Sequence, residues 1–415
     1  MGFDHHGAAK CSHMPSRRTV LTTFGGLAAW SFIPRFAQAA QGRDPRLITI
    51  ILRGAMDGLS AVAPVGDPNY VSLRERIALS ITGDKPALPL DGFFALHPSM
   101  PQFSRLYQAG QALVVHAVAS PYRDRSHFDG QDCLESGYDK VVANIDSGWL
   151  NRVLQSLPKG DHVTPRNALS IGASTPLIMR GSAPVLGWAP SSLQKASDDF
   201  AARVVDLYAA RDRELFVSLT DGLKTDAMAS AVAMEGAGKT RGNEFVQMKI
   251  AAEGAARLMA AEDGPRIAAL SFNGWDTHAN EGGANGRLAQ LLSGLDNALL
   301  AFEQGLKPVW KDTTILVITE FGRTAKINGT VGTDHGTATS AFLVGGAIKG
   351  GRIIADWPGL KDAQLFEGRD LAPTTDFRAV IKGILAEQWG LSASILAERI
   401  FPGSLAVRPM EGLLG

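Results

Sequence analysis

Residues 46–53 read RLITIILR, a short β-branched run bounded by Pro45 and Gly54. Apart from Thr49 its interior is wholly apolar, with no alternation of wet and dry positions, so both sides of this strand call for burial. Similar runs recur at 112–119 (ALVVHAVA), 168–172 (ALSIG), 266–272 (RIAALSF), 313–319 (TTILVIT) and 340–344 (SAFLV). Helical spacing occupies 96–109, with Gly110 as its stop, then 127–137, 147–156 and, most strongly, 286–306. Strands alternating with helices predict an α/β fold, a doubly wound and mostly parallel sheet sandwiched by helices. Residues 190–262 are rich in Ala, Lys, Glu and Asp and break at Gly236 and Gly238, and are expected to form a helical insertion on that single domain, residues 40–415.

The 415 residues are 45% apolar and 20% charged, an ordinary globular balance that argues against large-scale disorder. Zero formal charge argues against a nucleic-acid binder, which needs a basic excess to neutralise phosphates. At the front, Ser16-Arg17-Arg18-Thr19-Val20-Leu21 precedes a moderately apolar run to Phe36, closed by Ala37-Gln38-Ala39. The run is interrupted by Gly25, Gly26 and Pro34, and is short of the roughly 20 apolar residues of a membrane span. Paired arginines, an apolar middle and a small-x-small end resemble a twin-arginine signal peptide over residues 1–39. The expectation is export through the twin-arginine translocase to the periplasm, with no membrane span in the mature chain. Without its leader the chain keeps 37 basic and 40 acidic residues, about −3. Cys11 leaves with the leader, so Cys133 alone remains and an internal disulfide is excluded.

Ligands of open α/β sheets gather beyond the carboxyl ends of the strands, so the segments there decide the chemistry. The first strand runs into Gly54-Ala55-Met56-Asp57-Gly58, the second into a stretch holding Arg123, Arg125, Ser126, His127 and Asp129. RIAALSF leads to Gly274-Trp275-Asp276-Thr277-His278, TTILVIT to Glu320-Phe321-Gly322-Arg323, and Gly332-Thr333-Asp334-His335-Gly336 precedes the last strand. Carboxylates with imidazoles suit zinc or manganese, and carboxylates alone suit magnesium or calcium. Arginines on the same edge could grip an oxyanion. Each segment also has a plain structural reading. Asp57-Gly58 is a common turn pair, Ser126 with Asp129 fits a helix capping box, and His97 and His116 read as core histidines. There is no GxGxxG after the first strand and no phosphate-binding GxxxxGK[ST] motif.

LRGAMDGLS (52–60), RSHFDGQD (125–132), GWLNR (148–152), GWDTH (274–278), TEFGRT (319–324), NG-x-x-GTDHG (328–336) and GRDL (368–371) together resemble the DUF1501 family of exported bacterial proteins. That family is in turn similar to the alkaline phosphatase and sulfatase superfamily, and the resemblance implies an alkaline-phosphatase-like fold with a divalent metal site at the strand ends. Carried over residue by residue, Asp57, Asp276, His278, Glu320, Asp334 and His335 become metal-ligand candidates. Ser126 becomes the candidate nucleophile, with Arg125 and Arg323 stabilising the oxyanion. Where the superfamily has Asp-His, this chain has Glu320-Phe321, so one imidazole of a second metal is missing. The implied function is a periplasmic metal-dependent hydrolase of a small phosphate or sulfate ester. The alternative is a non-catalytic envelope protein with a degenerate metal or anion site that serves as a binding partner.

Overall fold

The computed structural model describes residues 44–157, 168–172, 174–189, scattered positions between 204 and 222, and 244–415. The expected signal peptide at 1–39 lies outside the described residues, as does most of the expected helical insertion. Asp44–Gly415 forms one unit.

In chain order, β1 (Arg46–Leu52) and α1 (Gly58–Ala61) lead into β2 (Val62–Ala63), α2 (Tyr70–Arg74), β3 (Leu88–Pro89) and β4 (Ala95–Leu96). Next come α3 (Pro101–Gln108), β5 (Ala112–Ala119), α4 (His127–Ser136), α5 (Trp149–Ser156), β6 (Ala168–Ile171) and β7 (Leu186–Trp188). Then follow α6 (Glu244–Ala260), β8 (Ile267–Phe272), α7 (Arg287–Gly305) and β9 (Thr313–Ile318). The last elements are β10 (Thr339–Val344), β11 (Arg352–Ile354), β12 (Thr375–Asp376) and α8 (Phe377–Trp389).

Among the described residues the main sheet has nine strands in the order β11-β5-β10-β9-β1-β8-β6-β7, with β12 also pairing β5. β1, the strand read first from the sequence, sits between β8 and β9 and is buried at every position. Its side chains divide by the two-residue period of a strand. Ile48, Ile50 and Leu52 enter one core, which includes buried residues of α3, α6 and α7, while Leu47 and Ile51 enter the other, with residues of α5 and α8. Two apolar faces therefore need two helical layers, which is the sandwich expected from the run.

Two local differences have physical causes. The helix expected from residue 96 begins at Pro101, because Leu96 pairs with Val62 in β4 and proline suits the first turn of a helix. Gly110, at φ +73°, then ends it as anticipated. α6 is the longest described stretch of the expected insertion; its buried alanines and methionines join the core against α7.

The pairing of β10 positions the site. Among the described residues every other pairing in the sheet is parallel, but β10 runs antiparallel to both β9 and β5. Residues that precede β10 therefore emerge on the same edge as residues that follow the parallel strands. That reversal carries His335 to the edge shared by Asp276 and Glu320.

Candidate metal centre

α4 starts at His127, with Ser126 as an extended N-cap residue whose side chain makes no capping bond, so the capping box read from the sequence is not formed. Gly130 lets the helix lie close to β9's end, since a Cβ there would stand 3.0 Å from the Phe321 ring. His127 stacks on Phe321, with ring centroids 5.0 Å apart and planes 24° apart. Its Nδ1 lies 2.8 Å from Glu320 Oε1. Its Nε2 is sealed from solvent, 3.4 Å from Asp276 Oδ2, and has no hydrogen-bond partner among the described residues.

Asp276 arrives from the loop after β8. Gly54, at φ +119°, lets that loop cross the end of β1, because a Cβ at this position would come within 2.5 Å of the Asp276 backbone nitrogen. Two further imidazoles meet the same carboxylate. His335 Nε2 is 3.3 Å and His278 Nε2 3.1 Å from Asp276 Oδ1. The two Nε2 atoms are 3.0 Å from each other.

The outer nitrogens explain why the inner ones matter. His127 Nδ1 faces Glu320, His278 Nδ1 faces Asp334 Oδ1 at 3.2 Å, and His335 Nδ1 faces the Arg125 carbonyl at 3.0 Å. An oxygen that can only accept holds each Nδ1 in its protonated form and leaves Nε2 with a lone pair. Lone pairs converging beside a carboxylate repel one another unless positive charge lies among them. Ligand atoms of His127, Asp276 and His335 all fall within 4.8 Å of one another, close enough to hold one metal ion. The donor set fits a divalent cation.

The surrounding charges shift these groups in different directions. The hydrogen bond to Glu320 raises the His127 pKa against its burial. Burial, with the charges of His127 and Arg323, lowers that of His335. Burial alone would raise Asp276, but the Arg323 guanidinium donating to it prevails and holds it below the usual carboxylate range. Glu320, likewise disfavoured by burial, is held down by the donors around it.

The structure places the other candidates around this centre in different roles. Glu320 is fully buried and accepts from Gly54 N–H at 2.9 Å, Gln131 at 3.0 Å and the Thr319 hydroxyl as well as from His127, so its oxygens are occupied. Asp334 is exposed and steadies His278 with help from Asn328. Arg323 is buried, donates to Asp276 Oδ1 at 2.6 Å and contacts Thr333. The Arg125 guanidinium is spent on Asp370 and Glu367, and it is the carbonyl of this residue, held at φ +60°, that reaches His335. Asp57 caps α1 through Ser60 N–H and pairs at 2.5 Å with buried Arg74. Burial would raise Asp57, but Arg74 prevails and lowers it; neighbouring Glu281, buried beside that carboxylate, is raised.

His127 is the donor that sequence reasoning passed over, although it stood in the quoted RSHFDGQD segment. Its place directly after a helix-start serine was the available signal. Nothing local marks Arg74 or Glu281, whose roles come from burial, and Asp370 stood in the quoted GRDL segment without an assigned role.

The family model described as "Protein of unknown function (DUF1501)" matches residues 44–400. The chain belongs to the DUF1501 family. No curated protein matches this DUF1501 sequence. Among solved structures, it is similar to Ps i-CgsB in complex with k-i-k-neocarrahexaose, at 11% identity and a TM-score of 0.40, over 88% of this chain and 77% of that one. It is also similar to a phosphonate monoester hydrolase of Agrobacterium radiobacter, at 12% identity and 0.37, over 84% and 74%. A third is a protein in the alkaline phosphatase superfamily from Vibrio parahaemolyticus, at 12% and 0.36, over 74% of this DUF1501 chain and 61% of that one. Likenesses this distant leave the chemistry to be argued from the residues. Among the described residues of the DUF1501 protein, no helix is long and apolar enough to cross a membrane.

Proposed function

We propose that this protein is a metal-dependent hydrolase of phosphate or sulfate esters, working in the periplasm after export by the twin-arginine route. The observation that carries the reading is the convergence of three imidazole Nε2 atoms on Asp276, with each Nδ1 tied to an oxygen. His127, His278, His335 and Asp276 would hold the cation, and three nitrogens with one oxygen favour zinc or manganese over magnesium or calcium. Such an ion, when bound, polarises an ester oxygen and makes a nearby hydroxyl more acidic.

The chain's own groups supply the rest. Ser126, one residue before His127, is the proposed nucleophile, and its side chain is not used to cap α4. The N-terminus of α4 favours negative charge developing there. Arg323 neutralises Asp276 and fixes its direction, while Phe321 walls the cluster with an apolar ring. Export is supported by the sequence of residues 16–39.

Metal analysis of the purified protein, beside hydrolysis of aryl phosphate, phosphodiester and sulfate substrates with divalent ions supplied, tests the reading. Bound zinc or manganese with turnover is expected, and Ser126→Ala should abolish turnover with little change in melting. Absence of both metal and turnover would sink it. A second reading, a non-catalytic metal- or anion-binding envelope protein, is favoured by the commitment of the Arg125 guanidinium to carboxylates and by Phe321 at the superfamily's imidazole position. Metal without turnover of any ester would select it.

A further inference from the structure

A hollow of about 670 Å³ is lined in part by Phe128, Gln131, Asn144, Arg180, Ser271 and Asn273. Its volume is within the range of about 300–1,000 Å³ common for small-molecule sites. It is linked to the imidazole cluster through shared elements. Phe128 follows His127 on α4, Asn273 precedes Asp276 on the loop after β8, and Gln131 donates to Glu320, the carboxylate that holds His127.

The lining limits what the hollow can take. Arg53, at its edge, is consumed by Gln131 and Glu135, so its charge is already answered. With Arg180 the lining holds two arginines, and with Asp132 and Glu135 two carboxylates, so its formal charges cancel and an anion meets no net positive charge. A lipid chain is disfavoured by the amides of Gln131, Asn144 and Asn273 in the lining. Phe128 stands in the same lining and is 84% exposed. An exposed apolar ring together with amides in one lining matches a ligand with hydroxyls around its edge and C–H groups on one face.

We propose that this hollow binds the ring of a carbohydrate, with Phe128 stacking on its C–H face and Asn144 and Asn273 meeting its hydroxyls. The inference rests on the hydrolase reading only in making that sugar the alcohol part of the ester; the binding itself stands on the hollow.

Saturation-transfer NMR with a panel of neutral mono- and disaccharides tests it on the full chain, without any need for turnover. At least one sugar should bind, and Phe128→Ala and Asn273→Ala should each weaken it about tenfold or more. Both positions are exposed, so the variants should keep the wild-type melting temperature, which is checked alongside. No binding of any sugar, or equal binding by wild type and both variants, overturns the proposal. Sugar binding without hydrolysis of any ester keeps the carbohydrate site and removes the hydrolase reading. Hydrolysis of aryl esters without sugar binding does the reverse.

Discussion

Glu320 Oε1 lies 2.8 Å from His127 Nδ1, while the Nε2 of the same ring is turned inward toward Asp276. A carboxylate in this position fixes the imidazole's tautomer and direction and strengthens its lone pair. Glu320→Gln should therefore weaken metal binding about 10- to 100-fold. Competition with a chelator measures this; unchanged affinity in a folded variant would remove Glu320 from the centre.

Gly54 lets the loop carrying Asp276 cross the end of β1. In Gly54→Ala a methyl group would come within 2.5 Å of the Asp276 backbone nitrogen, at a backbone φ of +119°. Destabilisation of more than about 1 kcal/mol is expected by urea unfolding, together with loss of metal. Retention of full metal affinity would show that the loop's placement is not what sets Asp276.

His97 and His116 are fully buried, as expected for core histidines. His97 Nε2 faces the Gly283 carbonyl and His116 Nε2 the Val62 carbonyl, while each Nδ1 accepts from a backbone N–H, of Ser99 and Ala117. Burial lowers both pKa values to about 4, so below an ordinary value near 6.5 the unfolded chain binds protons that the folded chain refuses. Stability should fall as pH drops from about 6.5 to 4, by about 3 kcal/mol for each histidine when complete. Conservative replacement of each by Gln should flatten that part of a melting-versus-pH curve, and an unchanged slope counts against the assignment.

Arg74, Asp57 and Glu281 form a buried cluster joined through Thr333 to Arg323, the residue that holds Asp276. Arg74→Met leaves the Asp57 charge uncompensated and should cost about 3–5 kcal/mol. Adding Asp57→Asn should recover part of that loss. Thermal denaturation of both variants decides the point, and additive losses would argue against the pairing.

Much of the architecture was legible because strand and helix periods are local. RLITIILR asks for burial on both faces wherever it is placed, and Gly110 ends a helix through its own φ. The polar segments beyond the strands were legible for the same reason, since a strand's end is marked by its sequence. Roles within the site were not. Asp57 and Arg125 carry the charges a metal or oxyanion site needs, but in the fold those charges meet Arg74, Asp370 and Glu367.

By itself the sequence determined that buried strands would alternate with helices and deliver His278, Glu320 and Asp276 to strand ends. Tertiary structure decided that β10 would run backwards and bring His335 to join them, and that His127 would face inward. The physical reason is distance along the chain. The direction of an imidazole lone pair is set by what its other nitrogen meets, and His335 meets the carbonyl of Arg125, 210 residues away. No local period encodes that.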